Sequence, residues 1–378
     1  MTQSVVFLSA KLLPTSETFI RAQSRTLQEF TPYYVGSRRV KGLSLPSEHT
    51  FVVNQGGLSG NVSEGVYKLF GIAPKLYSKL RELQPALIHA HFGPCGTLAL
   101  PLVKKLKLPM IVTFHGTDAT MKDEYARKES LSHRIYLHRR ERLKRETRLF
   151  IAVSEFIKQK LLDQGFPSEK VITHSIGIDT QTFQPDFNVP REPVVLFVGR
   201  LTEKKGCSYL IQAMAKVQSQ IPDVELVIVG DGELRPQLEE MSAKLLKRYR
   251  FEGMQPPEVV RSWMNRAMLL AVPSVTAANG NTEGLPTVAV EAQAMGLPVV
   301  GSLHAGIPQA VIHGETGFLT SERDWEGLAE YILRLLQDQM LWQNFSFKGY
   351  ERMREFFDIN KQTRTLEGIY KAVLQGEV

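Results

Sequence analysis

Short apolar runs alternate with amphipathic stretches along almost the whole chain. VVFLSA (5–10), TFVV (50–53), ALIHAHF (86–92), MIVTFHG (110–116), LFIAVS (149–154) and KVITHS (170–175) predict buried strands. Between them, GTLALPLVKKLKL (96–108) and SEFIKQKLLDQG (154–165) carry helical spacing. A second series follows. PVVLFVGR (193–200), VELVIVGDG (224–232), MLLAVPS (268–274) and PVVGS (298–302) predict strands; GCSYLIQAMAKVQSQ (206–220) and PTVAVEAQAMG (286–296) predict helices. Strands alternating with helices imply parallel sheets covered on both faces, so the fold class is α/β, one doubly wound domain after another. QPDFNVPREP (184–193) is proline-rich and irregular, and reads as a linker. The reading divides the chain into a first domain over 1–185, a second over 186–350, and a helical tail over 351–378 able to cross back to the first.

Composition narrows the function classes. Hydrophobic residues at 43% and charged residues at 22% exclude wholesale disorder. Two cysteines, Cys95 and Cys207, exclude a disulfide scaffold and a cysteine-built zinc site, and favour a reducing compartment. No apolar run reaches the ~18–20 residues of a spanning helix. The first residues lack the basic leader and long apolar core of a signal peptide. The net charge of +7 is uneven: residues 1–185 hold 26 Lys and Arg against 15 Asp and Glu, and residues 186–378 hold 20 against 24. The halves therefore face different ligands or surroundings.

Candidate chemistry clusters at strand ends. In VGRLTEKKG (198–206), Gly199 ends a strand and Arg200 and Lys205 bracket a turn, a pairing of forked and mobile cations that suits a diphosphate. In GNTEGLPTVAVEAQAMG (280–296), EGLP predicts a tight turn with Pro286 at or near the helix start, a site where amides hold an anion without basic side chains. Glu283 and Glu291 flank that turn, eight positions apart, and their carboxylates suit vicinal hydroxyls. GDGE (230–233) reads as a strand-ending turn; Asp231 and Glu233 have no third ligand, and no metal or other cofactor is predicted. In the first half, His89, His91 and Cys95 fit no zinc spacing, while His115 ends a strand near Asp118 and suits hydrogen-bonding a sugar hydroxyl or polarising a reacting centre. RIYLHRRERLKRETR (134–148) carries seven Lys and Arg with a partial apolar stripe. It reads as a solvated helix, a peripheral contact with anionic lipid, or a surface for an anionic acceptor; nucleic acid is disfavoured for want of interleaved aromatics.

These strings resemble the retaining GT-B glycosyltransferases of family 4. VGRLTEKKG, VELVIVGDGEL, FEGM, AVPSVTAANGNTEGLPTVAVEAQAMGLPVV and HAGIPQAVIHGETGFL follow the family's order over most of residues 193–320. SETFIRAQ, HAHFGPCG, TFHGTD, AVSEFIKQKL and SIGIDTQTF are similar to the bacterial colanic-acid and exopolysaccharide subgroup. The resemblance implies two Rossmann-like domains facing across a cleft. It implies transfer of a sugar from a nucleotide diphosphate sugar, of UDP or GDP type, to a hydroxyl of a glycan or lipid-linked acceptor, with anomeric retention. The place implied is the cytoplasm, at the inner face of a membrane. Arg200 and Lys205 would hold the diphosphate beside Gly199. Glu283 would contact the donor sugar, and the amides of Gly284, Leu285, Pro286 and Thr287 would line the phosphate or sugar site, save that Pro286 has no N–H. Glu291 would bind the ribose, and backbone at Glu252, Gly253 and Met254 the nucleobase. His115 would reach the donor sugar from the first domain. Glu17, in a loop PTSETF where relatives often have glycines, is expected on the acceptor side with Asp118. Asn281 and Gln309 replace residues that are acidic in many relatives.

Other classes fit less well. A nucleotide-dependent oxidoreductase would need Gly-x-Gly-x-x-Gly after the first strand, and VVFLSAKLLP lacks it. A glycan phosphorylase would need a longer chain. A transferase making a small glycoside or glycolipid stays open. A non-enzymatic polyanion binder at a membrane surface would leave the paired glutamates unexplained.

Overall fold

The computed structural model describes residues 2–14 and 17–377. Two compact units divide the chain, Met1–Gly177 with Ile359–Val378, and Ile178–Asp358. In the first unit, β1 (Gln3–Leu12), β2 (Phe30–Arg39), β3 (Thr50–Asn54), β4 (Leu87–His91), β5 (Met110–Phe114), β6 (Leu149–Ala152) and β7 (Val171–Thr173) form one sheet. Its order is β3-β2-β1-β4-β5-β6-β7, every pair parallel. LIHAH and MIVTF are buried along their whole length, as strands covered on both faces must be. Helices used below are α1 (Gly57–Phe70), α2 (Gly93–Leu106) and α3 (Leu131–Glu146).

The second unit holds β8 (Val194–Val198), β9 (Glu225–Val229), β10 (Tyr249–Gly253), β11 (Leu269–Val272), β12 (Val299–Ser302) and β13 (Gly317–Thr320). Their order is β10-β9-β8-β11-β12-β13, again all parallel. Its helices include α4 (Cys207–Gln220) and α5 (Thr287–Ala294). In each sheet the strand order reverses beside one strand, β1 with β4 and β8 with β11. Ligands of open parallel sheets sit beyond the carboxyl ends of the strands at such a reversal.

The division falls at 177/178 and 358/359, not at 185/186 and 350/351. The helix Gln339–Phe356 runs through position 351 and lays Phe345 in the second unit's core. The Ile178 amide donates to the Phe357 carbonyl (2.8 Å) and the Thr180 hydroxyl to Asp358. The stretch expected as a linker, 184–193, lies inside the second unit, where Arg191 donates to the carbonyls of Met264, Ala267 and Met295. Three strands escaped the hydrophobic pattern. β2 is interrupted by Pro32 and Gly36, and β10 and β13 are short edge strands.

The C-terminal helix Ile359–Gln375 belongs to the first unit. Leu366, Tyr370 and Val373 recur at one-turn spacing and enter the core with Val5, Phe7, Leu87 and Ile111. The Tyr370 hydroxyl meets Nδ1 of buried His89 (2.6 Å), and the Glu367 carboxylate accepts from the amides of Gln28 and Glu29 (2.7 Å each). Tyr370 is fully buried, so Tyr370→Ala is expected to lower the stability of this unit by about 3–5 kcal/mol, read as an earlier urea midpoint at unchanged slope.

Candidate active site

The second unit builds its site at the reversal between β8 and β11. β8 ends at Val198, and Gly199 donates back to the Val229 carbonyl (3.0 Å). Buried Leu201 pins the turn, its amide on the Asp231 carbonyl (2.9 Å). A short 3-10 turn, Glu203–Lys205, then closes on Gly206, whose φ of 63° is left-handed. Glycine is required there twice over, because a Cβ would also collide with the Pro273 carbonyl oxygen. This contact presses the turn against the chain leaving β11, where the Val275 amide donates to the Lys204 carbonyl (2.8 Å).

Two ammonium groups consequently converge on one carboxylate. Lys205 Nζ stands 2.9 Å from Glu283 Oε1, and Lys204 Nζ 3.8 Å from Glu283 Oε2. Lys204 also donates to the Thr282 carbonyl (3.1 Å). The Glu283 side chain is only 8% exposed. Burial alone would raise its pKa, but the charges of Lys205 and Lys204 override it and hold the group at about 2. The Lys205 chain lies across Gly199, where a Cβ would stand 3.4 Å from its Cε. Arg200 is exposed, with no ion pair among the described residues. Its charge adds to the field on Lys204, whose own pKa is lowered, by burial first. Two ammonium groups thus face one ionised carboxylate, with the Arg200 charge beside Lys204, an excess of positive charge that suits a polyanion.

Glu291 completes the set from α5. Pro286 is the N-cap residue, so Thr287 is the first helical position and no side chain caps this end. Glu291 is the fifth residue of the helix and partly buried. Burial pushes its carboxyl up to about 7 while Lys205 pulls it down. Lys205 therefore acts on both glutamates. Glu252, Gly253 and Met254 close β10. The Gly253 carbonyl accepts the Gly230 amide (2.8 Å), Glu252 is 3.6 Å from Arg250, and Met254 is exposed. Asp231 pairs with Arg235 (3.3 Å). Among the described residues no three His, Cys, Asp or Glu gather as a metal site.

Sequence reasoning missed Lys204 and the pairing of buried His304 with the partly exposed Glu322. His304 follows β12. Its Nδ1 meets Glu322 Oε1 (2.7 Å), and Glu322 also accepts the Thr276 amide (2.7 Å) and hydroxyl (3.1 Å). His304 Nε2 is buried without a partner, and the ring's field reaches Glu283. HAGIPQ was visible as a family-like string, but nothing in its spacing ties His304 to Glu283.

In the first unit, His115 follows β5 and joins a stack of neutral imidazoles. Its Nε2 meets His91 Nδ1 (3.1 Å), Nδ1 has no partner, and the Phe19 and Phe92 rings flank it at 4.9 and 4.7 Å. Burial, then the neighbouring His89, press its pKa down to about 3. Asp118 is tied into the backbone: it accepts from the amides of Gly93 (2.9 Å), His115 (3.1 Å) and Gly116 (3.0 Å). It lines a cavity of about 470 Å3 together with Lys11, Glu17, Cys95 and His133. The Glu17 carboxyl is pushed up to about 8 by burial, against Lys11, and its Oε2 has no partner. Thr15 and Ser16 of the PTSETF loop lie outside the described residues. Burial pushes the Cys95 thiol up to about 12, which removes it as a nucleophile near neutral pH.

Similarity to known proteins gives the family and the fold. The sequence matches "Glycosyltransferase Family 4" over residues 21–182 and "Glycosyl transferases group 1" over residues 179–352. It is 34% identical over 295 residues to the amylovoran biosynthesis glycosyltransferase AmsK of Erwinia amylovora, covering 73% of this chain and 70% of that one. The fold is similar to that of Anabaena Alr3699/HepE in complex with UDP and glucose, with a TM-score of 0.77 at 21% identity over 98% of this chain and 100% of that one. It is equally similar to sucrose-phosphate synthase from Thermosynechococcus elongatus, with a TM-score of 0.77 at 21% identity over 99% and 100% of the two chains. Two parallel-sheet, Rossmann-like domains make this the GT-B architecture. The chain is a glycosyltransferase and belongs to the group 1, family 4 glycosyltransferases.

Proposed function

We propose that the protein transfers a sugar, with retention, from a nucleotide diphosphate sugar to a hydroxyl of a glycan or lipid-linked saccharide in cell-envelope or exopolysaccharide synthesis. One observation carries the reading: three cations and two carboxylates, one ionised and one raised to about 7, gather at the strand reversal of the second unit. The name of AmsK, an amylovoran biosynthesis enzyme, supports the polysaccharide setting. The UDP in the HepE complex makes UDP-sugars the first donors to assay.

In this reading Arg200 and Lys205 hold the diphosphate, aided by the uncapped start of α5. The bond from the anomeric carbon to the diphosphate oxygen breaks, and its electron pair goes to that oxygen. The two cations stabilise the charge as it develops. The acceptor oxygen bonds to the anomeric carbon on the same face and passes its proton to the departing phosphate. Glu283 accepts from the donor sugar's hydroxyls, and Glu291 from the ribose. Backbone at Glu252–Met254 holds the base. His115, neutral at working pH, offers a hydrogen bond to the sugar, and Asp118 keeps its loop in place. Glu17, a neutral acid below pH ~8, serves the acceptor.

Calorimetry and a hydrolysis assay with UDP-, GDP- and ADP-sugars test the assignment. One donor class should bind, and Arg200→Ala or Lys205→Ala should each lower turnover by about 10²–10³-fold. Arg200→Ala should melt at the parent's temperature, since that side chain is exposed. Near-normal transfer by either variant contradicts the assignment. Proton NMR of the product reads retention from the anomeric configuration.

A second expectation concerns pH. Ionised Glu291 accepts vicinal hydroxyls strongly through both oxygens, where the neutral acid offers one good acceptor oxygen, so donor affinity should rise as pH climbs through about 7. Glu291→Gln should bind more weakly and lose that dependence. A flat profile in the parent would remove Glu291 from the ribose site.

A further inference from the structure

Helix α1, GLSGNVSEGVYKLF, is built the wrong way round for a surface helix. Its buried positions are Gly60, Glu64 and Tyr67, one turn apart. Its exposed surface carries an apolar stripe of Leu58, Val62 and Leu69, exposed by 86%, 66% and 44%, beside Ser59, Asn61 and Ser63; the last helical residue, Phe70, is 70% exposed and Ile72 beyond it 54%. An ordinary amphipathic helix turns its apolar stripe to the core and its charges to water. The reversal here is not a register slip. Glu64 is clamped by the Arg38 guanidinium (2.8 Å), the Lys68 amine (2.7 Å) and the Asn54 amide (2.8 Å). Burial raises its pKa, yet these partners bring it down to about 2. The inward face is thus satisfied, and the apolar outward face is left facing water.

The rim of that face is cationic. A cavity of about 550 Å3 beside Phe70 and Ile72 is lined by Lys104, Lys105, Arg139 and Arg142. Arg139 fastens α3 to the end of α1 by donating to the Leu69 carbonyl (2.6 Å). The basic segment 134–148 contributes less by itself than its composition promises. Ile135, Tyr136 and Leu143 are buried in the unit, and Arg140, Arg142 and Lys144 pair with Asp123, Glu146 and Glu141. It supplies charge at the edge, and the apolar surface comes from α1.

We propose that the outer face of α1 and the Phe70–Ile72 turn dock on an anionic phospholipid membrane. Apolar side chains enter the headgroup boundary, and Lys104, Lys105 and Arg139 meet lipid phosphates. Charge decides the occupant. A second copy meeting this face across a two-fold axis would set lysine and arginine against lysine and arginine. A negatively charged surface complements both parts. The proposal does not rest on the donor chemistry of the second unit.

Co-sedimentation of the full chain with vesicles of about 3:1 phosphatidylcholine to phosphatidylglycerol, and with phosphatidylcholine alone, tests it. The parent should pellet with the anionic vesicles, less so at high salt, and stay in solution with the neutral ones. The combined Leu58→Ser, Val62→Ser, Phe70→Ser variant should partition at least about tenfold less, with donor binding unchanged. Should that variant misfold, Lys104→Glu with Lys105→Glu gives the same loss by charge, and Phe70→Trp alone should blue-shift its emission on anionic vesicles. Absence of parent binding, or equal pelleting of parent and variants, overturns the proposal. So does light scattering that finds a dimer in the parent and a monomer in the triple variant, with no vesicle binding.

Discussion

Everything in the second unit's site follows from one carboxylate held out of water by two ammonium groups. An isolated buried carboxylate costs several kcal/mol and would take up a proton instead. Glu283 stays ionised because Lys204 and Lys205 arrive from opposite oxygens. They arrive there because Gly206 lets a tight turn lie on the Pro273 carbonyl. A polar cluster satisfied this way is rigid before any ligand enters, which is the condition for electrostatic stabilisation without reorganisation. The surplus of positive charge, with Arg200 outside it, gives an incoming diphosphate something to neutralise.

The first unit handles burial in the opposite manner. Its groups around His115 and Glu17, unlike Glu64, have few counter-ions and are pushed toward neutrality. His115 is pressed down to about 3, and Glu17 is raised to about 8. Asp118 shows the intermediate case, raised to about 6 by burial although the backbone amides of Gly93, His115, Gly116 and Asp118 itself oppose the shift. Neutral hydrogen-bonding groups suit hydroxyl-bearing ligands, as fixed charges suit phosphate. The uneven charge of the two halves therefore does not map onto site chemistry. Much of the first half's basic excess lies on its outer surface, around α1, α2 and α3.

Most of the fold was legible because buried parallel strands are continuous apolar runs. LIHAH, MIVTF, VVLFV and ELVIV stand out from their flanks. β10 did not, because this edge strand is partly exposed and carries Arg250 and Glu252; β13 did not, because GFLT, though buried, is four residues long with Gly and Thr at its ends. The division at 358/359 was illegible, since helix Gln339–Phe356 and the helix after it have similar composition and only packing separates them. Of the site, Lys205, Glu283 and Glu291 were readable from strand ends and an eight-residue spacing. Lys204 and His304 were not, because what brings them to Glu283 is tertiary: a lysine beside another lysine looks redundant, and His304 comes from a different strand. The reversed face of α1 was hidden too, since period alone says which residues share a face and not which face is buried.

The most direct test of the account is a crystal structure of the protein with a nucleoside diphosphate bound. The account predicts diphosphate oxygens within about 3 Å of Lys205 Nζ and the Arg200 guanidinium, with ribose hydroxyls on Glu291. A diphosphate held elsewhere, with the Lys204–Glu283–Lys205 cluster untouched, would contradict it.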